Sequence, residues 1–210
     1  MKKTKTQSNY MAYRMIFFDL GGVLVNVDAS SSLARLGELK GWTLDETVFH
    51  WSFFEPVTLA YDAGNLNTVD YLEQFNDYFK LPLEQAVELF TDIFSLNLDT
   101  MRIAERLRSN YLLGIISNTN PLHFYRIMSD FYELHIFQEP VTSYYVKSLK
   151  PDRKIYTEAC RRFGLSPEEC VFIDDRPENI QAAQELGMYG ILYESPMKLM
   201  VDLYRADLKF

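Results

Sequence analysis

The sequence predicts an α/β protein built on a parallel sheet, with an all-helical segment inserted after the first strand. Three short apolar runs, residues 13–18, 111–116 and 171–173, each stop at a cluster of polar residues or glycines. This pattern is typical of buried strands that end in tight loops. Residues with helical periodicity precede the second and third runs. Alternating strands and helices favour parallel strands joined by helical crossovers.

Weaker signals complete this core. Two shorter apolar runs, residues 140–142 and 190–193, predict further strands. Gly164 and Gly187 stand where helices are expected to end, and residues 166–169, Ser-Pro-Glu-Glu, have the capping pattern of a helix start. Helical faces are indicated by apolar residues about one turn apart: Ile103 with Leu107, and Ile155 with Ala159 and Phe163.

The segment after the first strand has little strand character and several helical faces. We therefore predict a core formed by residues 13–27 and 99–210, and an inserted helical cap formed by residues 28–98. One predicted cap face carries Val69, Leu72, Phe75 and Phe79. Most of the cap aromatics are expected to form its own core, and a minority to line a pocket facing the main domain: Trp42, Phe49, Trp51, Phe53, Phe54, Tyr61, Tyr71 and Phe90.

Composition excludes several classes of partner. The net charge is −8 and the pI about 4.9, so the protein repels nucleic acids and anionic membrane surfaces. No stretch approaches the roughly 20 apolar residues of a membrane span. Residues 1–12 are mostly polar and are expected to form a flexible tail without a secretory signal. Cys160 and Cys170 are expected to be reduced core residues, which favours a cytoplasmic protein.

Polar side chains collect at the predicted strand ends. Asp19 follows the first strand, and Ser117-Asn118 and Asp174-Asp175 follow the next two long runs. Lys150-Pro151 precedes a predicted helix. In an open parallel sheet, ligands bind in the crevice beyond the carboxyl ends of the strands. These groups are therefore expected to converge on one site.

In these motifs the chain resembles the haloacid dehalogenase-like hydrolase superfamily, which is dominated by phosphatases. The resemblance covers residues 13–193. It implies a doubly wound, Rossmann-like sheet with a helical cap, and magnesium-dependent hydrolysis of a small phosphorylated metabolite such as a sugar phosphate. Four motifs match in order: Phe17-Phe18-Asp19-Leu20-Gly21-Gly22-Val23-Leu24, Ile116-Ser117-Asn118, Lys150-Pro151 followed by Ile155-Tyr156, and Val171 to Ile180 with Asp174-Asp175 at its centre.

The resemblance also implies the metal ligands. Asp19 would be both the attacking nucleophile and a ligand of Mg²⁺, and the backbone carbonyl of Gly21 a second ligand. Asp175 would be the third protein ligand, with Asp174 holding a metal-bound water. Hard oxygen ligands suit Mg²⁺, which usually keeps several waters.

The remaining implied roles concern the phosphate group. Ser117 and the amide of Asn118 would hydrogen-bond its oxygens. Lys150 would pair with Asp19 and the phosphate as a point charge. An aspartyl-phosphate on Asp19 would divide one difficult displacement into two easier ones.

Gly21 departs from the family pattern. Most family phosphatases have an aspartate at this position, which protonates the leaving group and later activates water. Without it, leaving groups that need little protonation are favoured, such as anomeric or acyl phosphates. The residues considered as replacements are His50, His123, His135, Arg176 and Glu178.

Three other functions remain open at this point. A catalytically weak family member acting as a binding or regulatory module is supported only by Gly21. A true dehalogenase would need no metal, so Asp174-Asp175 speaks against it. A mutase would normally use the aspartate that Gly21 replaces. Substrate choice is expected to come from the cap, near the glycine-containing turn of residues 61–65.

Overall fold

The computed structural model describes residues 13–210, so the tail predicted for residues 1–12 lies outside the described residues. In chain order the elements are β1 (Met15–Phe18), β2 (Val25–Val27), α1 (Ser30–Lys40), α2 (Leu44–Asp62), α3 (Thr68–Phe79), α4 (Leu83–Thr91), β3 (Phe94–Leu96), α5 (Leu98–Leu107), β4 (Leu112–Ser117), α6 (Pro121–Asp130), β5 (Gln138–Thr142), α7 (Ser143–Val146), α8 (Arg153–Phe163), β6 (Cys170–Asp174), α9 (Pro177–Glu185), β7 (Tyr189–Leu192) and α10 (Pro196–Arg205).

The main sheet has five parallel strands in the order β5-β4-β1-β6-β7. All four residues of β1 are buried, as expected for a central strand covered on both faces. Ile16 and Phe18 pack into one hydrophobic cluster, whereas Met15 and Phe17 pack into another. Because successive side chains of a strand point to opposite faces, helices must cover both sides of the sheet. The predicted doubly wound α/β fold is confirmed.

The helix-end signals gave mixed results. Gly164 closes α8 in the left-handed conformation, at φ +62, and Gly187 follows α9 at φ +102, as predicted. The prediction of an α-helix starting at Ser166 is wrong. Its capping box is present, but it opens a single 3₁₀ turn, Pro167–Glu169, because Cys170 already begins β6.

Helices α1 to α4 form a hydrophobic cluster separate from the two clusters that flank the sheet. Its buried residues are Leu36, Phe54, Tyr61, Tyr71, Phe75, Phe79, Leu81, Ala86, Leu89 and Phe90. The predicted α3 face is wrong at Val69, which is 64% exposed, while Tyr71 is buried on that helix. Phe49 and Phe53 of α2 are also exposed rather than packed in the cluster.

The ribbon formed by β2 and β3 was not predicted. These two short strands pair antiparallel, with Val27 opposite Phe94, and join the two ends of the segment that contains the four helices. Each strand has only three residues, which is too short for a clear alternation of apolar and polar residues.

The two cysteines were predicted to be reduced core residues, and no segment was predicted to span a membrane. Cys160 and Cys170 are both buried free thiols, with their sulfur atoms 3.9 Å apart. Among residues 13–210, the helices are too short or too polar to cross a membrane.

Candidate active site

A cavity of about 410 Å³ opens at the carboxyl ends of β1, β4 and β6. We call it the strand-end cavity. The parallel register places Phe18 beside both Ile115 and Ile173, so Asp19 and Asp174 leave the sheet next to each other. The cavity is lined by Asp19, Gly21, Gly22, Val27, Asn118, Lys150, Asp175, Arg176 and Asn179.

Lys150 bridges two buried carboxylates. Its Nζ lies 2.7 Å from Asp19 Oδ1 and 2.7 Å from Asp174 Oδ2, and it donates a third bond of 3.0 Å to the Ile116 carbonyl. Lys150 is only 5% exposed. A buried ammonium needs such partners because removing a charge from water is costly. Lys150 is therefore fixed at the floor of the cavity as a positive charge.

Asn118 holds the backbone of Lys150 from the end of β4. Its Nδ2 donates to the Lys150 carbonyl at 3.0 Å, and its Oδ1 accepts from the Lys150 amide at 2.7 Å. This reciprocal pair ties two loops that are 32 residues apart. The side chain of Asn118 thus sets the position of the lysine.

Asp174 is fully buried and surrounded by donors. Its Oδ1 accepts from the Arg176 amide and from Asn179 Nδ2, each at 2.9 Å. Its Oδ2 accepts from Lys150 Nζ at 2.7 Å and from Asn179 Nδ2 at 3.1 Å. Within this network Asp174 accepts a hydrogen bond from Lys150 and holds its ammonium in place. Its neighbour Asp175 is exposed and lines the strand-end cavity.

Three carboxylates lie close enough to share a cation. One oxygen from each of Asp19, Asp174 and Asp175 lies within 4.8 Å of the other two. Gly22 makes room for this cluster, since it has φ +81 and an added Cβ would overlap the Asp175 carboxylate. Carboxylate oxygens are hard donors of the kind Mg²⁺ binds. The donor set and its spacing therefore fit a magnesium ion.

The charges in this cluster oppose one another. The pKa of Asp19 is raised to about 7, mainly by burial and also by Asp174, although the Lys150 ammonium lowers it. The pKa of Asp175 is also raised, first by burial and then by Asp174. One lysine does not fully offset three carboxylates, so a bound divalent cation would favour their ionised forms.

The backbone at Gly21 would accept a side chain. Gly21 does not have a positive φ, unlike Gly22, and an added Cβ would meet only Val27 Cγ2, at 3.4 Å. This glycine is therefore not required by the local backbone.

Ser117 and the histidines do not line the strand-end cavity. Ser117 is the last residue of β4 and is 2% exposed. His50 stacks on Trp42 in the helical segment, and His135 bonds the carbonyl of Tyr132. His123 lies farther along the loop and helix that follow β4.

His123 is held as a neutral ring. Its Nδ1 lies 3.2 Å from Asn120 Nδ2, and its Nε2 lies 2.8 Å from the Phe90 carbonyl. An amide nitrogen can only donate and a carbonyl can only accept, so the proton is on Nε2. Burial lowers the pKa of His123 to about 4. These contacts leave it no proton to give to a leaving group near neutral pH.

No role was predicted for Asn179, which lies within the last of the four motifs, Val171 to Ile180. Asn179 is 1% exposed and lies five residues after Asp174, on the first turn of α9. Its carbonyl accepts from the hydroxyl of Tyr156. The available signal was an amide one helical turn beyond an acidic pair, which by itself is common.

The turn of residues 61–65 packs on the loop after β4 and on α7. Asn120 Nδ2 donates to Asp62 Oδ1 at 2.7 Å, and Ser143 Oγ donates to the Asp62 carbonyl at 2.6 Å. Gly64, at φ +72, packs so closely against the Tyr144 carbonyl that a Cβ would overlap it. The turn therefore contacts the loop that begins at Asn118, but it does not line the strand-end cavity.

Comparison with known proteins agrees with this architecture. A sesquiterpene phosphatase of Aspergillus oryzae is 27% identical over 199 residues, covering 91% of this chain and 95% of that protein. D-ribitol-5-phosphate phosphatase of Bacteroides thetaiotaomicron is 25% identical over 186 residues, covering 82% and 87%. A haloacid dehalogenase (HAD) family enzyme of the same bacterium, crystallised with magnesium and inorganic phosphate, has a TM-score of 0.77 at 20% identity, covering 87% and 95%. A family model for haloacid dehalogenase-like hydrolases matches residues 13–187. The chain belongs to the haloacid dehalogenase-like hydrolase family.

Proposed function

We propose that this hydrolase is a magnesium-dependent phosphatase that cleaves a small phosphorylated metabolite through an aspartyl-phosphate on Asp19. The observation that carries the proposal is the placement of Lys150 Nζ, 2.7 Å from both Asp19 and Asp174 at the floor of a strand-end cavity. The named activities of the two phosphatases described above support it, as does the neighbour crystallised with magnesium and phosphate.

The reaction has two steps. A carboxylate oxygen of Asp19 attacks phosphorus while the bond from phosphorus to the leaving oxygen breaks, and that oxygen takes a proton from water. A second water then attacks phosphorus, which releases phosphate and restores Asp19. Lys150 offsets the negative charges of the Asp19 carboxylate and of the substrate phosphate. It also holds the Asp19 oxygen in position to attack phosphorus. Asp174, Asn179 and the side chain of Asn118 act through Lys150 rather than on the substrate.

Magnesium fits beside the nucleophile. We propose Asp19, Asp175 and the Gly21 carbonyl as its protein ligands, with Asp174 close by. When bound there, the ion neutralises charge on the phosphoryl oxygens. We assign contact with the phosphate to the backbone amide of Asn118, which lines the cavity directly after Ser117 at the end of β4, since the Asn118 side chain already holds Lys150.

A direct test is hydrolysis of para-nitrophenyl phosphate with and without Mg²⁺. We expect phosphate release that requires the ion and disappears on chelation. The alternative, a catalytically weak binding module, rests on Gly21 alone and predicts no release in either condition. Release that is equal with and without Mg²⁺ would contradict the metal requirement.

Magnesium is expected to raise the melting temperature, because a ligand that binds only the folded protein stabilises it. At about 100 times Kd the gain is about 2.7 kcal/mol, or roughly 5–10 °C for a domain of this size. Asp175→Ala should remove this response. Thermal unfolding at several Mg²⁺ concentrations measures it, with Asp77→Ala, whose side chain is 84% exposed, as the control. An unchanged response in Asp175→Ala would place the ion elsewhere.

Introducing an acid at Gly21 should change the preference among leaving groups. The wild type should hydrolyse acetyl phosphate much faster than ethyl phosphate, because the acetate leaving group needs little protonation. Gly21→Asp should raise the rate on ethyl phosphate relative to acetyl phosphate, by up to about 10²-fold if the carboxyl acts as a general acid. The structure permits the side chain, since the nearest atom to an added Cβ is Val27 Cγ2 at 3.4 Å.

The ratio between the two substrates in each protein is the measured quantity, so general damage to the site cancels. Gly21→Ala is the matched control, because it adds the Cβ without the carboxyl. If the aspartate and alanine variants give the same ratio as wild type, Gly21 does not mark a missing acid.

A further inference from the structure

A second cavity, of about 240 Å³, lies between the helical segment and α6. We call it the apolar cavity. Its walls are formed mainly by Leu33, Trp51, Leu59, Leu89, Phe90 and Ile93. Phe90 stacks on the ring of His123, with the ring centroids 4.0 Å apart. The cavity therefore has walls on both the helical segment and the sheet domain.

Most polar side chains of this cavity are engaged by the protein itself; the exception is Glu55, an exposed carboxylate that has no side-chain partner among the described residues. Asp62 accepts from Asn120 Nδ2, and burial raises the pKa of Asp62 to about 6. Both ring nitrogens of His123 have protein partners. Thr58 Oγ1 lies 3.3 Å from the Tyr71 hydroxyl. A polyol placed here would find few partners for its hydroxyl groups, and losing their bonds to water is costly.

The apolar cavity and the strand-end cavity are lined by residues that are close in the chain at the end of β2. Val27 lines the strand-end cavity, while Ala29, two residues later, lines the apolar cavity. The backbone amide of Asp28, between these two residues, donates to the Ile93 carbonyl at 2.8 Å. This bond places Ile93, another residue that lines the apolar cavity, next to the end of β2. Val27 Cγ2 also faces Gly21, where a general acid would otherwise stand. Val27 and Ala29 thus place one apolar side chain in each cavity, on either side of the exposed Asp28.

We infer that the apolar cavity binds the leaving group, and that the substrate is the phosphate of an apolar alcohol or acid rather than of a polyol. This inference rests on the proposed phosphatase function, which supplies the phosphate position at Asp19. An apolar cavity of about 150 Å³ can hold benzene, so 240 Å³ has room for an aryl or hydrocarbon group somewhat larger than that. Binding comes from apolar surface removed from water.

The test uses acetyl, butanoyl and hexanoyl phosphate, whose leaving groups have nearly the same acidity but different apolar length. We expect kcat/KM to rise about threefold to fourfold for each added methylene until the cavity is filled. Leu59→Asn should flatten this series. Leu39→Asn is the matched control, because Leu39 is 46% exposed and Leu59 49%, and only Leu59 lines the cavity.

The outcomes separate this inference from the proposed function. The inference is overturned if kcat/KM is equal across the series, or if Leu39→Asn flattens the series as much as Leu59→Asn does. Hydrolysis of acetyl phosphate that depends on Asp19 would still support the phosphatase function. If the wild type hydrolyses none of the three, the proposed function fails. In that case the rise in melting temperature caused by methylphosphonate and by hexylphosphonate tests the cavity. A larger rise with hexylphosphonate that is lost in Leu59→Asn supports the cavity as a binding site. An equal rise with both compounds overturns the inference.

Discussion

Replacing Asp19 with asparagine is expected to lower phosphate release by at least about 10³-fold, because an amide is a poor nucleophile and no covalent intermediate can form. The measurement is single-turnover phosphate release from acetyl phosphate with saturating Mg²⁺. A variant that keeps more than about a tenth of the wild-type rate would rule out Asp19 as the nucleophile. Asp152→Asn, a change at the helix cap of α8, is a control outside the cavity.

The same substitution should not unfold the protein. Burial raises the pKa of Asp19 to about 7, so its contribution to stability is present at low pH and is lost as the pH rises through that value. Above pH 7 the ionised carboxylate therefore opposes folding. We expect Asp19→Asn to be at least as stable as wild type at pH 8 without metal, as measured by chemical denaturation. This result would separate lost chemistry from lost structure.

Replacing Lys150 with methionine is expected to damage both stability and activity. It removes the buried cation between Asp19 and Asp174 and leaves two facing carboxylates with no ammonium between them. Loss of one partner from a buried ion pair typically costs about 3–5 kcal/mol in the free energy of unfolding. Lys154→Met, an exposed change on α8, should cost less than about 0.5 kcal/mol.

A double variant tests the physical cause. Adding Asp174→Asn to Lys150→Met removes one of the two facing charges, so the double variant should be more stable than additivity predicts, by at least about 1 kcal/mol. Denaturant unfolding of all four proteins completes the cycle. Strict additivity, or a cost below about 1 kcal/mol for Lys150→Met alone, would mean that the lysine does not hold the carboxylates together.

Most of the fold was accessible from the sequence because its signals are local. The β1 run is apolar without interruption and is buried on both faces, and the glycine after α8 has the left-handed φ that ends many helices. The motif residues that line the strand-end cavity were also named in advance, because each directly follows a strand or precedes a helix. Their chemical roles remain proposals.

Two predictions made from local sequence patterns were wrong, because contacts with residues far away in the chain determine the structure at those positions. The Ser166 capping box is intact but leads into a strand, because pairing of β6 with β1, between residues such as Cys170 and Met15, overrides the helix start. Val69 fits the α3 pattern by spacing, yet Tyr71 is the buried residue, stacked on Tyr61 from the preceding helix at 4.4 Å. Helical spacing alone does not show which side of a helix its neighbours cover.

The sequence by itself determined the sheet, the helical insertion and the set of acids, amide and lysine at the strand ends, because these depend on the order of short motifs. Only the tertiary structure decided which of these side chains contact one another and which residues enclose a cavity. Asn118 holds Lys150 across 32 residues, and Lys150 reaches Asp174 across 24. The apolar cavity brings together residues from Ala29 to His123. The physical reason is that hydrogen-bond geometry and enclosed volume are properties of atoms in contact, and chain spacing does not fix which distant atoms meet.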